Sequence, residues 1–140
     1  MTLPLLEIYF GAFAEKDAER RGELLAGCLT PNAAILGHSQ VFVGYAAISE
    51  KIAGFHGNFP DCRLVLASGF FTFENIVRFG NAIVRMDGSV VARGETLMEF
   101  AQDGRICRVV PFWEMSLPPL PGGWPEHLAV PPSPKVSFAA

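Results

Sequence analysis

The sequence predicts a single α+β domain, in which three helices and a short hairpin precede a long antiparallel meander. The chain has 140 residues, of which 50% are apolar and 18% are charged, and this combination supports a core that needs no disulfide or metal. At Cys62 the spacing of apolar residues changes from that of a helix to that of a strand. Asp87-Gly88 and Asp103-Gly104 then mark two hairpin turns.

Two amphipathic helices are predicted at the start of the chain. The first carries apolar residues at the spacing of one helix face: Leu6, Tyr9, Phe10 and Phe13. Thr2 and Pro4 suit its beginning, and Asp17 suits the N-cap of the second helix. The inward residues of that second helix are Leu24, Leu25 and Cys28. We expect it to end at Thr30-Pro31-Asn32, because the residue before a proline is disfavoured in the helical region.

A small hairpin and a third helix follow. Residues 33–37 and 41–43 are predicted to be extended and are joined through His38-Ser39-Gln40. Gly44 begins the third helix, whose inward residues are Ile48, Ile52 and Phe55. Gly54, Gly57 and Pro60 indicate where this helix closes.

The second half of the chain predicts a sheet with one apolar face. Alternation runs from Phe71 to Ile83 without an evident turn. The two Asp-Gly turns pair Phe79 with Thr96 and Met98 with Val109. The inner face then collects Val77, Phe79, Ile83, Met98 and Val109, with Asn75, Asn81 and Thr96 as its polar members. Glu99 and Arg108 face each other on the outer side, which is suited to an ion pair.

Charge and cysteine content argue against several classes of function. The net charge is -3 and the basic residues are scattered, so nucleic acid is not an expected partner. Cys28, Cys62 and Cys107 have no metal-site spacing and predict buried thiols in a reducing compartment. The histidines are dispersed as well, so we expect no metal site, and no cofactor motif is evident. The chain shows neither a signal peptide nor a membrane-length apolar stretch, which predicts a cytoplasmic protein without membrane contact.

The composition changes after Met115. Seven of the 11 prolines lie between Pro118 and Pro134. This predicts a domain over residues 1–115 and a proline-rich tail over residues 116–140. We expect the tail to lie extended on the surface, with Trp124 packed on the domain or on a second subunit. Binding of its Pro-Leu-Pro stretch by a proline-recognition module is the alternative.

Five segments carry a resemblance to a known family. They are YFGAFAEKD from Tyr9, LLAGCLTPNAAI from Leu24, FVGYAAISEKIAGF from Phe42, NIVRF from Asn75 and GETLMEFAQDGRICRVVPFW from Gly94. In this order and spacing the chain resembles the nuclear transport factor 2-like superfamily, in particular its SnoaL-like (polyketide-cyclase-like) branch. The resemblance implies a cone-shaped α+β barrel: a curved antiparallel sheet wrapped by three N-terminal helices around an apolar pocket. It also implies a homodimer formed through the outer face of the sheet.

The resemblance also implies candidate catalytic residues. Enzymes of this superfamily include steroid isomerases, polyketide cyclases and epoxide hydrolases. Tyr9 falls where the isomerases place a tyrosine that donates a hydrogen bond to an enolate oxygen, although a core tyrosine is the alternative. Their general base falls at Gly37, which cannot act as one. The neighbouring His38 is therefore the candidate base, unless it is a solvated loop residue. The family's third, acidic position falls at Thr96.

The implied function is the binding of a small, largely apolar or aromatic, oxygenated molecule. If the protein is an enzyme, the resemblance implies proton transfer next to a carbonyl, in an isomerisation, cyclisation or dehydration, with His38 and Tyr9 as the catalytic pair. The expected ligand contacts are Phe55, Asn75, Phe79, Asn81, Thr96, Met98, Val109 and Trp113. The alternative is a non-catalytic ligand-binding or dimeric assembly module that has lost the acid–base residues. A pocket filled by residues such as Phe71 and Phe73 would favour that alternative.

Overall fold

The structure is a computed structural model that describes residues 3–37, 39–114, 122–123 and 125–128. Three helices and six strands make up most of these residues. The helices are α1 (Leu3–Ala14), α2 (Ala18–Cys28) and α3 (Tyr45–Asn58). The strands are β1 (Leu29–Leu36), β2 (Val41–Val43), β3 (Cys62–Phe73), β4 (Ile76–Arg85), β5 (Val90–Phe100) and β6 (Ile106–Trp113). The α+β class predicted from the sequence is confirmed.

The beginnings of the helices follow their capping residues. The Asp17 side chain accepts a hydrogen bond from the Arg20 N–H at 3.1 Å and caps α2, as expected. Gly44 precedes α3 with a φ of 87°, a conformation that favours glycine. Thr2 lies outside the described residues. Helix α2 ends at Cys28, earlier than predicted, because residues 30–32 already belong to β1, whose extended backbone also suits the residue before Pro31.

The sheet is mixed and open. Its strand order is β2-β1-β6-β5-β4-β3, so β2 and β3 form the two edges. All neighbouring strands are antiparallel except β1 and β6, which are parallel. The expectation of a purely antiparallel sheet was therefore wrong. The sheet also does not close into the implied cone-shaped barrel, because its edge strands do not pair with each other.

The two Asp-Gly turns set the register as predicted. Phe79 lies opposite Thr96, and Met98 lies opposite Val109. Each turn contains one residue more than the predicted two-residue turn, with Gly88 or Gly104 at a φ of 87° or 88°. A β-bulge in the adjoining strand pair compensates for that extra residue, so the predicted partners are preserved.

One hairpin turn was missed. Glu74 and Asn75 form a tight turn between β3 and β4, with Glu74 at a φ of 52° and Phe73 opposite Ile76. The turn contains no glycine or proline, so the alternation appeared continuous across it. It places Thr72 opposite Val77 and leaves Phe71 and Phe73 facing outward, 66% and 63% exposed. Neither phenylalanine fills the interior.

The core lies between the helices and the inner face of the sheet. The predicted inner-face residues Val77, Phe79, Ile83, Met98 and Val109 are all buried. The helices contribute Leu6, Tyr9, Ala12, Phe13, Leu25, Cys28, Ile48 and Ile52 to the same cluster. Asn81 and Thr96 are buried with them as polar members of the inner face. Asn75 is exposed, because it lies in the missed turn.

Two polar side chains join the helices where α1 ends. The guanidinium of Arg21 donates to the carbonyl oxygens of Glu15 and Ser49 at 3.0 Å, and to that of Lys16 at 3.2 Å. The His56 ring hydrogen-bonds the Phe13 carbonyl oxygen through Nε2. The contacts to Phe13, Glu15 and Lys16 satisfy carbonyl groups in and just after the last turn of α1, which have no partner within the helix, whereas Ser49 lies in α3. They therefore connect α1 to both α2 and α3.

The predictions for the three cysteines and for the Glu99–Arg108 ion pair hold only in part. Cys28 is buried, and burial raises the pKa of its thiol to about 12, whereas Cys62 and Cys107 are only half-buried. Glu99 and Arg108 are neighbours as predicted, but the ion pairs within the described residues are Arg78–Glu95 and Arg105–Asp103, both at 2.9 Å. The first of these joins diagonal neighbours rather than directly opposite residues.

Two further findings concern the membrane and the tail. No helix in the described ranges is long and apolar enough to cross a membrane. Within residues 116–140 the structure describes a short 3-10 turn, Glu126–Leu128. Trp124 and most of the predicted tail lie outside the described residues.

Candidate functional site

A cavity of about 520 Å³ lies between helices α1 and α3 and the inner face of the sheet. Aromatic side chains dominate its lining: Tyr9, Phe10, Phe13, Phe42, Phe55, Phe59, Phe79 and Trp113. Aliphatic residues and glycine add Ile35, Gly54, Leu64, Ile83 and Pro111, and the polar lining residues are Glu50, Lys51, Asn58, Asn81 and Thr96. A second, wider concavity of about 850 Å³ shares Lys51, Pro111 and Trp113 with the first.

The aromatic lining is held by edge-to-face packing. The Phe79 ring on β4 lies 6.1 Å from the Phe10 ring on α1 and 5.9 Å from the Phe70 ring on β3, measured between ring centres. Phe13 contacts Phe55 on α3 in the same manner at 5.9 Å. Such pairs are favoured because the positive edge of one ring meets the negative face of another. The rings that line the chamber lie in or directly after five elements: α1, β2, α3, β4 and β6.

Asn81 and Thr96 form a buried polar pair in this apolar surrounding. The Thr96 hydroxyl donates to the Asn81 side-chain oxygen at 2.8 Å, and the two residues are 5% and 2% exposed. They come together because Asn81 lies opposite Gly94 and Thr96 lies opposite Phe79 on neighbouring strands. No acceptor for the Asn81 amide N–H groups is found in the part of the chain that the structure describes. The pair therefore offers hydrogen-bond donors at the cavity wall.

Tyr9 is the other candidate donor. It lines the cavity and is 4% exposed, and no partner for its hydroxyl is found among residues 3–37 and 39–114. Burial raises the pKa of Tyr9 well above its usual value, and the neighbouring Cys28 thiol adds to the rise. The phenol consequently remains protonated at neutral pH. It can donate a hydrogen bond but cannot act as a base.

The predicted general base involves the neighbouring residues Gly37 and His38, and the structure describes the first of them. His38 lies outside the described residues. Gly37 is described, and its N–H donates to the Gln40 carbonyl oxygen at 2.6 Å. A Cβ atom at Gly37 would lie 2.9 Å from that oxygen and 3.0 Å from the Phe42 ring. A carboxylate could therefore not replace this glycine unless the loop moved.

The predicted ligand contacts fall into two groups. Phe55, Phe79, Asn81, Thr96 and Trp113 line the cavity. Met98 and Val109 are instead fully enclosed in the core, at 0% and 1% exposure, and do not line it. Asn75 lies in the β3–β4 turn, where its side-chain amide donates to the Phe100 carbonyl oxygen at 3.2 Å. These three residues therefore lie outside the lining of this cavity.

Trp113 reaches the cavity because of a glycine on the next strand. A Cβ atom at Gly94 would lie 2.5 Å from the Phe112 carbonyl oxygen and 3.0 Å from the Trp113 ring. The absence of a side chain therefore lets the indole lie across β5.

Sequence reasoning missed the polar residues that α3 presents to the cavity. Lys51 and Asn58 lie four residues before and three residues after Phe55, so they share its helix face. That spacing was a usable signal, but only Ile48, Ile52 and Phe55 were considered inward. The Lys51 ammonium lies 5.4 Å from the centre of the Phe42 ring, and burial lowers its pKa.

The lining of the first cavity therefore offers hydrogen-bond donors in a mainly apolar surrounding. Glu50, which is exposed, is the one carboxylate among the described lining residues. No group of three or more His, Cys, Asp or Glu side chains suited to a metal ion occurs within the described ranges.

Comparison with solved structures places this fold among known relatives. A SnoaL-like family protein from Agrobacterium tumefaciens strain C58, proposed to be an isomerase, is 29% identical with a TM-score of 0.73, over 81% of this chain and 97% of that chain. A nuclear transport factor 2-like protein of unknown function from Exiguobacterium sp. 255-15 is 18% identical with a TM-score of 0.60, over 80% and 99%. A SnoaL-like protein from Jannaschia sp. CCS1, proposed to be a polyketide cyclase, is 18% identical with a TM-score of 0.59, over 79% and 85%. No protein-family model matches the sequence, and no curated protein matches it either.

Proposed function

Because this chain belongs to the nuclear transport factor 2-like superfamily, in its SnoaL-like branch, we propose that it binds a small, largely apolar, oxygenated molecule between its helices and sheet. The observation that carries this proposal is the buried Asn81–Thr96 pair in a cavity lined mainly by aromatic rings. The volume of about 520 Å³ lies within the range of small-molecule sites.

The Asn81 amide offers the hydrogen bond that would anchor such a ligand. A hydrogen bond to these N–H groups would be stronger in the apolar chamber than in water, because the local dielectric constant is low. A ligand carbonyl oxygen would accept their hydrogen bond, while the rings cover the rest of the ligand. This chemistry matches cyclic ketones, enones, lactones and aromatic polyketide fragments.

A thermal-shift screen of those four compound classes tests the proposal. A ligand at 100 times its dissociation constant stabilises the fold by about 2.7 kcal/mol, or about 5–15 °C in melting temperature. We expect Asn81→Leu to weaken binding of a hit about tenfold through the lost hydrogen bond. The matched control Asn32→Leu, at an exposed position on β1, should leave binding unchanged. A screen with no shift in any class would contradict the proposal.

Proton transfer next to a carbonyl is the second candidate function. It is favoured by Tyr9, whose protonated hydroxyl lines the same cavity as the Asn81 amide, because two donors can stabilise a developing oxyanion. His38 would serve as the base. Turnover of a bound enone or ketone should then fall by at least about 100-fold in His38→Ala, the usual contribution of general base catalysis. Unchanged turnover in that variant would exclude this mechanism.

The non-catalytic alternative is favoured by the missing carboxylates. Gly37 has no room for a side chain, and Thr96 is engaged with Asn81. A ligand that binds without turnover, equally in wild type and His38→Ala, would support a binding or assembly module. In either case we propose that the protein forms a homodimer through the outer face of the sheet.

A further inference from the structure

Lys51 is a cation of the cavity wall that has no anionic partner among the described residues. All 14 Asp and Glu side chains lie in described residues, and the ion pairs among them involve Arg78 and Arg105, not Lys51. Glu50 precedes it on α3 and also lines the cavity, but it is exposed and makes no ion pair with the ammonium. The charge of Lys51 is therefore uncompensated by an acidic side chain.

The position of the ammonium is nevertheless defined. It lies 5.4 Å from the centre of the Phe42 ring, within the range of a cation–π interaction. Phe42 lines the same cavity, so the contact keeps the charge at the wall rather than in solvent. Such a contact attracts the ammonium to the ring but does not neutralise its charge. Lys51 also lines the adjoining concavity, which places it where the two spaces meet.

The charges around Lys51 do not supply a partner from the sheet. Arg93, Glu95 and Glu114 line the adjoining concavity. Of these, Glu95 is already engaged with Arg78 at 2.9 Å, and Glu114 makes no ion pair with Lys51. Burial lowers the pKa of Lys51, which is the expected behaviour of an ammonium that loses water without gaining an anion. A ligand anion beside the ammonium would raise this pKa again, because it favours the charged form.

We propose that the natural ligand carries a carboxylate, which pairs with Lys51 while the apolar body of the ligand occupies the aromatic chamber. This inference rests on the proposed binding function and narrows its ligand to ring-containing carboxylic acids. The Asn81 amide then donates a hydrogen bond to an oxygen of the ligand body, and the Lys51 ammonium pairs with the ligand carboxylate. A charge-assisted hydrogen bond is about twice as strong as a neutral one, so the charged group would select among otherwise similar ligands.

Calorimetric titration at pH 7 with two probes of matched shape tests this proposal: 6-acetyl-2-naphthoate, which carries a ketone oxygen for Asn81 and a carboxylate for Lys51, and 2,6-diacetylnaphthalene, a neutral diketone. Wild type should bind the acid about tenfold more tightly than the diketone. Lys51→Met keeps the apolar stem, and it should abolish this preference without weakening diketone binding. Lys51→Arg keeps the charge and should retain the preference. The control Lys16→Met, at an exposed loop position, should behave as wild type.

The outcomes separate this inference from the function on which it rests. If wild type binds neither these probes nor any compound of the thermal-shift screen, the proposed binding function fails and the inference fails with it. If wild type binds a neutral compound of the screen but not the acid, the carboxylate inference alone is overturned. If wild type binds both probes with equal affinity, the binding function stands and the carboxylate inference is overturned. The wild-type comparison alone makes this distinction, even if a Lys51 variant does not fold.

Discussion

At the scale of single residues, Arg21 connects the three helices from a position that is 3% exposed. Its guanidinium binds carbonyl groups rather than carboxylates, and it also donates to the Ser49 hydroxyl at 3.2 Å. In the sequence it stands beside Arg20, which is exposed, and nothing in the local pattern distinguishes the two arginines. The difference arises because only residue 21 faces both the end of α1 and the middle of α3.

We expect Arg21→Met to lower the free energy of unfolding by about 2 kcal/mol. The variant removes the donors of four hydrogen bonds, and a methionine fills part of the vacated space. Urea denaturation measures this change, with Arg20→Met as the matched control, which should change stability by less than about 0.5 kcal/mol. Equal effects of the two substitutions would show that the buried contacts of Arg21 do not stabilise the fold.

At the scale of elements, the meander could be predicted further than the rest of the chain. The turns containing Asp87 and Asp103 are marked in the sequence, and each aspartate side chain accepts a backbone N–H two residues further on. The turn at Glu74-Asn75 carries no comparable mark, so the face of β3 was assigned incorrectly. The consequence is specific, because Phe71 and Phe73 are on the outside rather than in the cavity.

Gly94 provides a prediction about the packing of β5 against β6. We expect Gly94→Ala to destabilise the fold by about 1–3 kcal/mol, because the added Cβ would overlap the Phe112 carbonyl and the Trp113 ring. Chemical denaturation provides the measurement. The control is Gly22→Ala in α2, where no atom lies within 4 Å and the substitution should stabilise the helix by up to about 1 kcal/mol. A stable Gly94→Ala variant would mean that the strands shift to accept the methyl group.

At the scale of the whole molecule, none of the described helices covers the outer face of the sheet. Phe112 on β6 is 61% exposed beside Glu95, and Phe71 is exposed opposite Arg78. The Arg78–Glu95 ion pair lies between them, so a charged pair is flanked by a phenylalanine on each side. A surface of this kind can pair with a second copy of itself, in which each group meets its counterpart around a two-fold axis.

The proposed homodimer makes a prediction for this surface. Light scattering after size exclusion should give a dimer for wild type and a monomer for Phe112→Lys, because the substitution places a charge in an apolar interface. Met86→Lys is the control, since Met86 is 78% exposed but lies in the β4–β5 turn. A wild-type monomer would contradict the proposal directly. An undisturbed Phe112→Lys dimer would place the interface elsewhere.

The sequence by itself determined the α+β class, the Asp17 cap of α2 and the register of β4, β5 and β6, because these depend on residues that are close along the chain. That register was enough to predict Asn81 and Thr96 on one inner face. The tertiary structure alone decided the parallel pairing of β1 with β6, the burial of Arg21 and the contact of Lys51 with Phe42. Each of these depends on contacts between distant segments, and local periodicity carries no information about which distant segment will cover a given side chain.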